Sequence, residues 1–430
     1  MTNSNKKRER IQHAMHWLDN QHPQMCDELL RWVAQNSWSR NLVGLQAMAG
    51  MLIEGFAARG IRLEPIELAE WECVDDYGRQ TRQKTGPALV WHYQPLATRR
   101  VLLAIHYDTV YPPHTNATAE LLHVRSGIDG DSVVPRDAML RGPGVADAKG
   151  GIAVILWAMD AMFRFGLFDE LGVSILLNPD EEIGSPASTE LFQQLASQFE
   201  FALLFEPAMP GRKMAVDRKG TGNFTAVIHG RSAHAGRDLS QGRNALVQAA
   251  RLAIEIDSWN QLSAEQVRCT GLQSGVTVNV GRMIGGGALN QVPDLATVAF
   301  NVRTSTPEGV AFVEGRIREL ERNYSAEEGY SCSIQGRFHS PPKCVREDKK
   351  SIRLRQTVSE AASSLGQSLE WCDTGGACDG NKLAALGLPN VDTMGPIGGN
   401  LHSDAEYCDA ASLLSATKLV VRILATLEPD

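Results

Sequence analysis

Three short apolar runs constrain the fold most. Residues 100–105 (RVLLAI), 171–177 (LGVSILL) and 201–205 (FALLF) are apolar almost throughout and do not alternate with polar residues. Such short continuous runs mark strands covered on both faces, as in parallel sheets sandwiched between helices. A segment with helical spacing, 150–165, separates the first two. This βαβ rhythm implies an α/β fold with a three-layer α/β/α arrangement and a mixed, mostly parallel sheet. In such sheets ligands gather at the carboxyl ends of the strands. There the chain places His106 and Asp108, then Asp180-Glu181-Glu182, then Glu206.

The rest of the chain extends this reading. Helical patterns run over 7–35 and 41–59, the second stopped by Gly60 as by a C-cap glycine. Strands are expected near 61–67 and 88–94. Near 217 the pattern changes: 223–229, 276–283 and 295–303 alternate like half-exposed antiparallel strands, with helices near 243–257 and 308–323. Strand-helix-strand-strand-helix-strand is a split βαβ, a ferredoxin-like α+β unit. Helices near 350–365, 375–386 and 410–427 then return the chain to its first unit. The expected organisation is a discontinuous catalytic domain, 1–216 and 337–430, interrupted by a second domain at 217–336. A chain of 430 residues is too long for one ordinary core.

Composition excludes several classes of function. The net charge is −8, and the one basic cluster, Lys6 to Arg10, reads as a solvated helix start, so no nucleic-acid partner is expected. No apolar run approaches the roughly 18–20 residues of a membrane span, and the first residues lack the apolar stretch of a secretory signal. Cysteines at 26, 73, 269, 332, 344, 372, 378 and 408 form no C-x-x-C pair, which fits reduced thiols in a cytoplasm.

The chemistry-bearing positions form a nitrogen- and oxygen-rich set: His106, Asp147, Glu182, Glu206 and His402. Two histidines and three carboxylates suit divalent metals, zinc above all, and one bridging carboxylate would let them hold a pair. Asp108, two residues after His106, could fix its tautomer. The loop GPGVADAKGG (142–151) fits neither phosphate-binding glycine fingerprint; an Asp presented just before a helix fits a bridging carboxylate better. Adjacent acids at 180–182 are costly unless cations or protons neutralise them, and Glu181, beside a ligand, is left over as a base.

The order and wording of HYDTVYP, GPGVADAKGG, DEEIGS, FEP, GRSAHAG, GGACDG and HSDAEY resemble the dinuclear zinc hydrolases of the carboxypeptidase G and acetylornithine deacetylase/succinyl-diaminopimelate desuccinylase type, over residues 100–425. The resemblance implies two zinc ions, with cobalt or manganese as substitutes. His106 and Glu206 would hold one and Glu182 and His402 the other; Asp147 would bridge them, its following peptide often cis in the family. It implies Glu181 as general base and acid, Asp108 as orienter of His106, and a lid and dimerisation domain. From that lid His234 would reach the partner subunit's site in a homodimer. Asn290, Arg303, Arg337 and Gly376 stand at positions that resemble substrate-binding ones. Cys378 replaces the usual Thr, Gly380 the common Ala, and the His402 loop is one residue short, all of which bear on the substrate pocket.

The expected activity is hydrolysis of an amide in a peptide or N-acyl amino acid bearing a free carboxylate, carboxypeptidase G-like. An N-acyl-amino-acid deacylase is the alternative. An aminopeptidase or dipeptidase is disfavoured because relatives of that kind tend to have Asp where this chain has Glu206. A catalytically silent relative would have lost a ligand or the base, and a closed structural zinc site would use cysteine.

Overall fold

A computed structural model describes residues 3–114, 119–124, 137–168, 170–261 and 275–427; Cys269 lies outside them. Its central sheet contains β1 (Glu64–Ile66), β2 (Ala88–Tyr93), β3 (Arg99–His106), β4 (Leu171–Asn178), β5 (Phe201–Leu204) and, from much later in the chain, β10 (Asn390–Val391). The spatial order is β1-β2-β4-β3-β5-β10. Pairings from β4 through β3 and β5 to β10 are parallel, and those of β2 with β1 and β4 are antiparallel. The sheet is therefore mixed and mostly parallel.

The continuous apolar runs have the expected cause. Along β3, Val101, Leu103 and Ile105 enter one core and Leu102 and Ala104 the other. The first core is roofed by α1 (Asn3–Val33), α2 (Leu42–Ala57), α3 (Lys149–Arg164), α7 (Lys349–Ser364) and α9 (Ala410–Thr426). The second lies under α4 (Thr189–Ala196) and α8 (Asp379–Ala385). Both faces of the strands are thus buried, so no polar alternation is tolerated.

The second unit has its own core. Its strands β6 (Gly220–His229), β7 (Thr277–Gly285), β8 (Leu295–Thr304) and β9 (Ser331–Ser340) form an antiparallel sheet in the order β7-β8-β6-β9. Helices α5 (Ala245–Asp257) and α6 (Pro307–Ser325) cover one face over Phe224, Ile228, Val298 and Phe300. Strand alternation puts Asn223, Asn301 and Arg303 on the opposite face. The chain enters and leaves this unit side by side: Arg218 and Lys343 exchange backbone hydrogen bonds of 3.0 Å. Their side chains converge on buried Asp392, at 2.8 Å and 2.6 Å.

Sequence reading passed over several elements. Two hairpins, Trp71–Val74 with Gln80–Gln83 and Glu120–Val124 with Asp137–Arg141, and the parallel pair Lys213–Arg218 with Glu370–Thr374 are strands without a long apolar run. The first hairpin also reaches the second unit. The Asp76 carboxylate stands 2.6 Å from Arg282, and the Asp76 carbonyl accepts from the Thr297 hydroxyl at 3.0 Å.

Candidate metal centre

The strand ends bring the candidate ligands together. His106 is the last residue of β3; its Nε2 lies 3.1 Å from Asp147 Oδ1 and 3.7 Å from Glu206 Oε2. Asp147 precedes α3, and its other oxygen, Oδ2, is 3.3 Å from His402 Nε2. The same His402 nitrogen is 3.3 Å from Glu182 Oε2. Asp147 therefore presents one oxygen to a His106–Glu206 pair and the other to a His402–Glu182 pair. Ligand atoms of His106, Asp147 and Glu182 lie within 4.8 Å of one another.

The donor set fits divalent cations on two further observations. Glu182 Oε1 and Glu206 Oε1 are buried and have no hydrogen-bond partner among the described residues. Orphaned buried carboxylate oxygens are costly, and a cation removes that cost. The second observation is electrostatic. Burial, and then the Asp147 charge, push Glu182 up to about 7. Burial also raises Glu206. Hydrogen bonds to Asp147 and Glu182 push His402 up to about 11. The set thus draws in positive charge, which metal ions would supply in place of protons.

Glu181 stands at the start of a short turn after β4, beside Glu182. Burial first, then the Glu206 charge, hold its carboxyl well above the usual range. The turn is pinned by Asp108, which is fully buried and accepts from Glu181 N at 3.0 Å, Glu182 N at 3.2 Å and Ser39 Oγ at 2.6 Å. His106 Nδ1 lies 3.3 Å from the Asp108 carboxylate and 3.0 Å from its backbone oxygen. Asp108 thus bears on His106 and on the Glu181 turn together. The Asp147–Ala148 peptide is cis.

Residues that sequence reading missed hold the ligands in place. Glu406 is 1% exposed and accepts from the amides of Gly144, Ala146 and Asp147 at 3.0, 2.9 and 3.0 Å, and from Tyr111 OH at 2.7 Å. It fixes the loop that presents Asp147. Its one sequence signal is its place in HSDAEY, which drew attention to His402 alone. Arg218 donates to the Gly376 carbonyl at 3.0 Å and so steadies the glycine loop from below.

The expected substrate-side residues have hydrogen-bond partners outside the ligand set. Arg303 on β8 donates to the Gly375 carbonyl at 2.8 Å, joining the second unit to the glycine loop that includes Gly376. Arg337 is exposed on β9, where its backbone pairs with Asn223. His234 is exposed, and its Nδ1 accepts from the Gly236 amide at 3.1 Å. Asn290 is exposed too, and its carbonyl accepts from Ala235 N at 2.9 Å. Among the described residues no hydrogen bond links His234 or Asn290 to the ligand set of their own chain.

Known proteins are similar to this chain in sequence and in fold. The family model described as Peptidase family M20/M25/M40 matches residues 102–426. Carboxypeptidase G2 of Pseudomonas sp. (strain RS-16) is 28% identical over 374 residues, which cover 86% of this chain and 84% of that protein. Succinyl-diaminopimelate desuccinylase of Bordetella pertussis is 25% identical over 363 residues, covering 81% and 88%. The solved structure of the YXEP protein of Bacillus subtilis, a dinuclear metal-binding peptidase from the M20 family, superposes with a TM-score of 0.60. That match covers 95% of this chain and 98% of the other at 16% identity.

Proposed function

The chain belongs to peptidase family M20/M25/M40 and is a metallopeptidase or amidohydrolase, and from that premise we propose that it hydrolyses the amide of a peptide or N-acyl amino acid bearing a free carboxylate. The observation that carries this reading is Asp147 shared between two histidine–carboxylate pairs, with Glu181 on the adjoining turn. His106, Asp147 and Glu206 would hold one zinc ion, and His402, Asp147 and Glu182 the other. Bound zinc supplies Lewis acidity toward the amide carbonyl and toward water. Glu181, on the turn beside Glu182, accepts the proton from the attacking water and delivers it to the departing amine. Asp108 keeps the Glu181 turn and the His106 ring in register.

Arg303 and Arg337, together with Asn290 and Gly376, are assigned to substrate binding. Guanidinium groups suit a carboxylate through paired, charge-assisted hydrogen bonds. The unit spanning 217–336 is read as lid and dimerisation domain, on a catalytic domain of 1–216 and 337–430. The exposure of His234 supports a role as oxyanion donor in the neighbouring protomer of a homodimer. A cytoplasmic setting fits the free cysteines; among the described residues no helix is long and apolar enough to cross a membrane.

The similarity to carboxypeptidase G2 favours a carboxypeptidase, and that to the desuccinylase an N-acyl-amino-acid deacylase. The deciding experiment assays the zinc-loaded protein on peptidyl-, N-acetyl- and N-succinyl-amino acids, each with a free or amidated α-carboxylate. Turnover that requires the free carboxylate is expected, and the preferred acyl side separates the two readings. Indifference to amidation would remove the arginines as anchors.

A further inference from the structure

The first turn of α8 contains three polar side chains that are almost wholly buried. Asp379 is 3% exposed, Asn381 0% and Lys382 5%. Asp379 accepts from Asn178 Nδ2 at 2.7 Å, from the Ser185 hydroxyl and from Lys382 Nζ at 2.7 Å. Asn178 ends β4, just ahead of the Glu181 turn, and Ser185 closes that turn with its amide on the Asp180 carbonyl at 2.7 Å. Lys382 Nζ donates twice more, to Ser185 Oγ and to Ser340 Oγ, both at 3.2 Å. Ser340 is the last residue of β9. Asn381 Nδ2 donates to the carbonyls of Lys219 and Pro341, at 3.1 Å and 2.8 Å, where the chain enters and leaves the second unit.

An ammonium has three donors, and here each has an acceptor on a different segment. Asp379 follows the glycine loop, Ser185 belongs to the turn carrying Glu181, and Ser340 ends the inserted sheet. A lysine satisfied in this way is locked in one rotamer, and it cannot lose one partner without leaving buried charge or a buried donor unpaired. We propose that Lys382 is a positioning residue for Glu181, coupling the base-bearing turn to the glycine loop and to the exit of the inserted unit. The proposal rests on the reading of Glu181 as the base. Spacing supports it: Asp379 and Lys382 are three apart on one helix face, so α8 presents acid and ammonium together beneath the turn.

The test compares three variants of the full-length, zinc-loaded protein, with metal content measured on each. Asp379→Asn combined with Lys382→Met removes both buried charges while keeping side-chain size. Ser340→Ala cuts only the tie to the inserted unit, and Glu181→Gln tests the underlying reading. The double variant is expected to keep its metal and its KM while kcat falls roughly 10- to 100-fold, the scale of a misplaced catalytic group. Ser340→Ala is expected to lower kcat by a smaller factor at unchanged KM. A scaffold role alone would lower the melting temperature and leave kcat of the folded, loaded protein intact, so a double variant with kcat within about twofold of wild type overturns the proposal. A fall in kcat that tracks lost metal overturns it as well. Should the double variant not fold, wild-type kcat in Ser340→Ala overturns it instead. An active Glu181→Gln refutes the base assignment; an inactive one beside a fully active double variant refutes only the role of Lys382.

Discussion

At the residue scale, the neighbouring carboxyls Glu181 and Glu182 have different surroundings. Burial raises both, but Glu182 stands against His402 and beside the Asp147 charge, whereas the largest charge acting on Glu181 is that of Glu206. Glu181→Gln preserves shape and leaves the ligands untouched. It should bind metal as wild type does and lose about 10²- to 10⁴-fold in kcat, the usual contribution of a general acid–base group; elemental analysis and steady-state kinetics check this, and near-normal turnover would refute the assignment. His339 offers a pH test. It packs against the Glu181 turn: a Cβ on Gly184 would come within 2.5 Å of its Nδ1. Burial, then the charges of Lys382, Arg337 and Arg303, push it down to about 3. Folding therefore favours the neutral ring. Its stabilising share is full above the ordinary histidine pKa near 6.5 and is lost as pH falls from there toward 3. His339→Gln should flatten the decline of melting temperature across that window, and identical slopes would count against it. The candidate ligands that the fold brings together were legible because each ends an apolar run or sits in a glycine loop. Glu406 and Lys382 were not, because what they do depends on which distant amides and hydroxyls the fold brings to them.

At the scale of elements, the contact of α3 with the end of β5 governs where Asp147 and Glu206 stand. Gly151, in the first turn of α3, approaches so closely that a Cβ there would lie 2.2 Å from the Phe205 carbonyl oxygen. That neighbour is backbone, so it cannot swing aside. Gly151→Ala gains helix propensity worth up to about 1 kcal/mol. Overpacking costs about 1–3 kcal/mol or more, and the clash should win. The expected outcome is lower stability in denaturant together with weaker metal retention, since Phe205 adjoins Glu206. A stabilised variant with full metal would contradict this account. The buried strands and long helices could be read because their periodicity follows from which faces are covered. The hairpin Trp71–Val74 with Gln80–Gln83 could not, because its residues are exposed or only partly buried and show no apolar stripe. Helix α4 has only 8 residues, too few for its spacing to stand out.

For the whole molecule, the candidate metal centre is a meeting point of parts of the chain far apart in sequence. Chelation should lower the melting temperature, because the carboxylates around Asp147 then repel one another and a ligand bound only by the folded state is lost. At a free metal concentration of 100 times Kd, that linkage is worth about 2.7 kcal/mol for one site. Calorimetry with and without chelator, followed by zinc add-back, checks both the loss and its recovery; an unchanged transition would mean that the ions do not bind the folded chain. The insertion of β6 to β9 between Glu206 and His402 also acts on the protein as it is made. Four of the five ligands leave the ribosome first, and the last follows about 200 residues later, some 10–40 s at ordinary rates of synthesis. Through that interval β5 has no β10 beside it and the acids have no His402. The His106–Asp147–Glu206 half of the centre is thus made first, and the half that needs His402 is completed only when the chain has returned from the inserted unit.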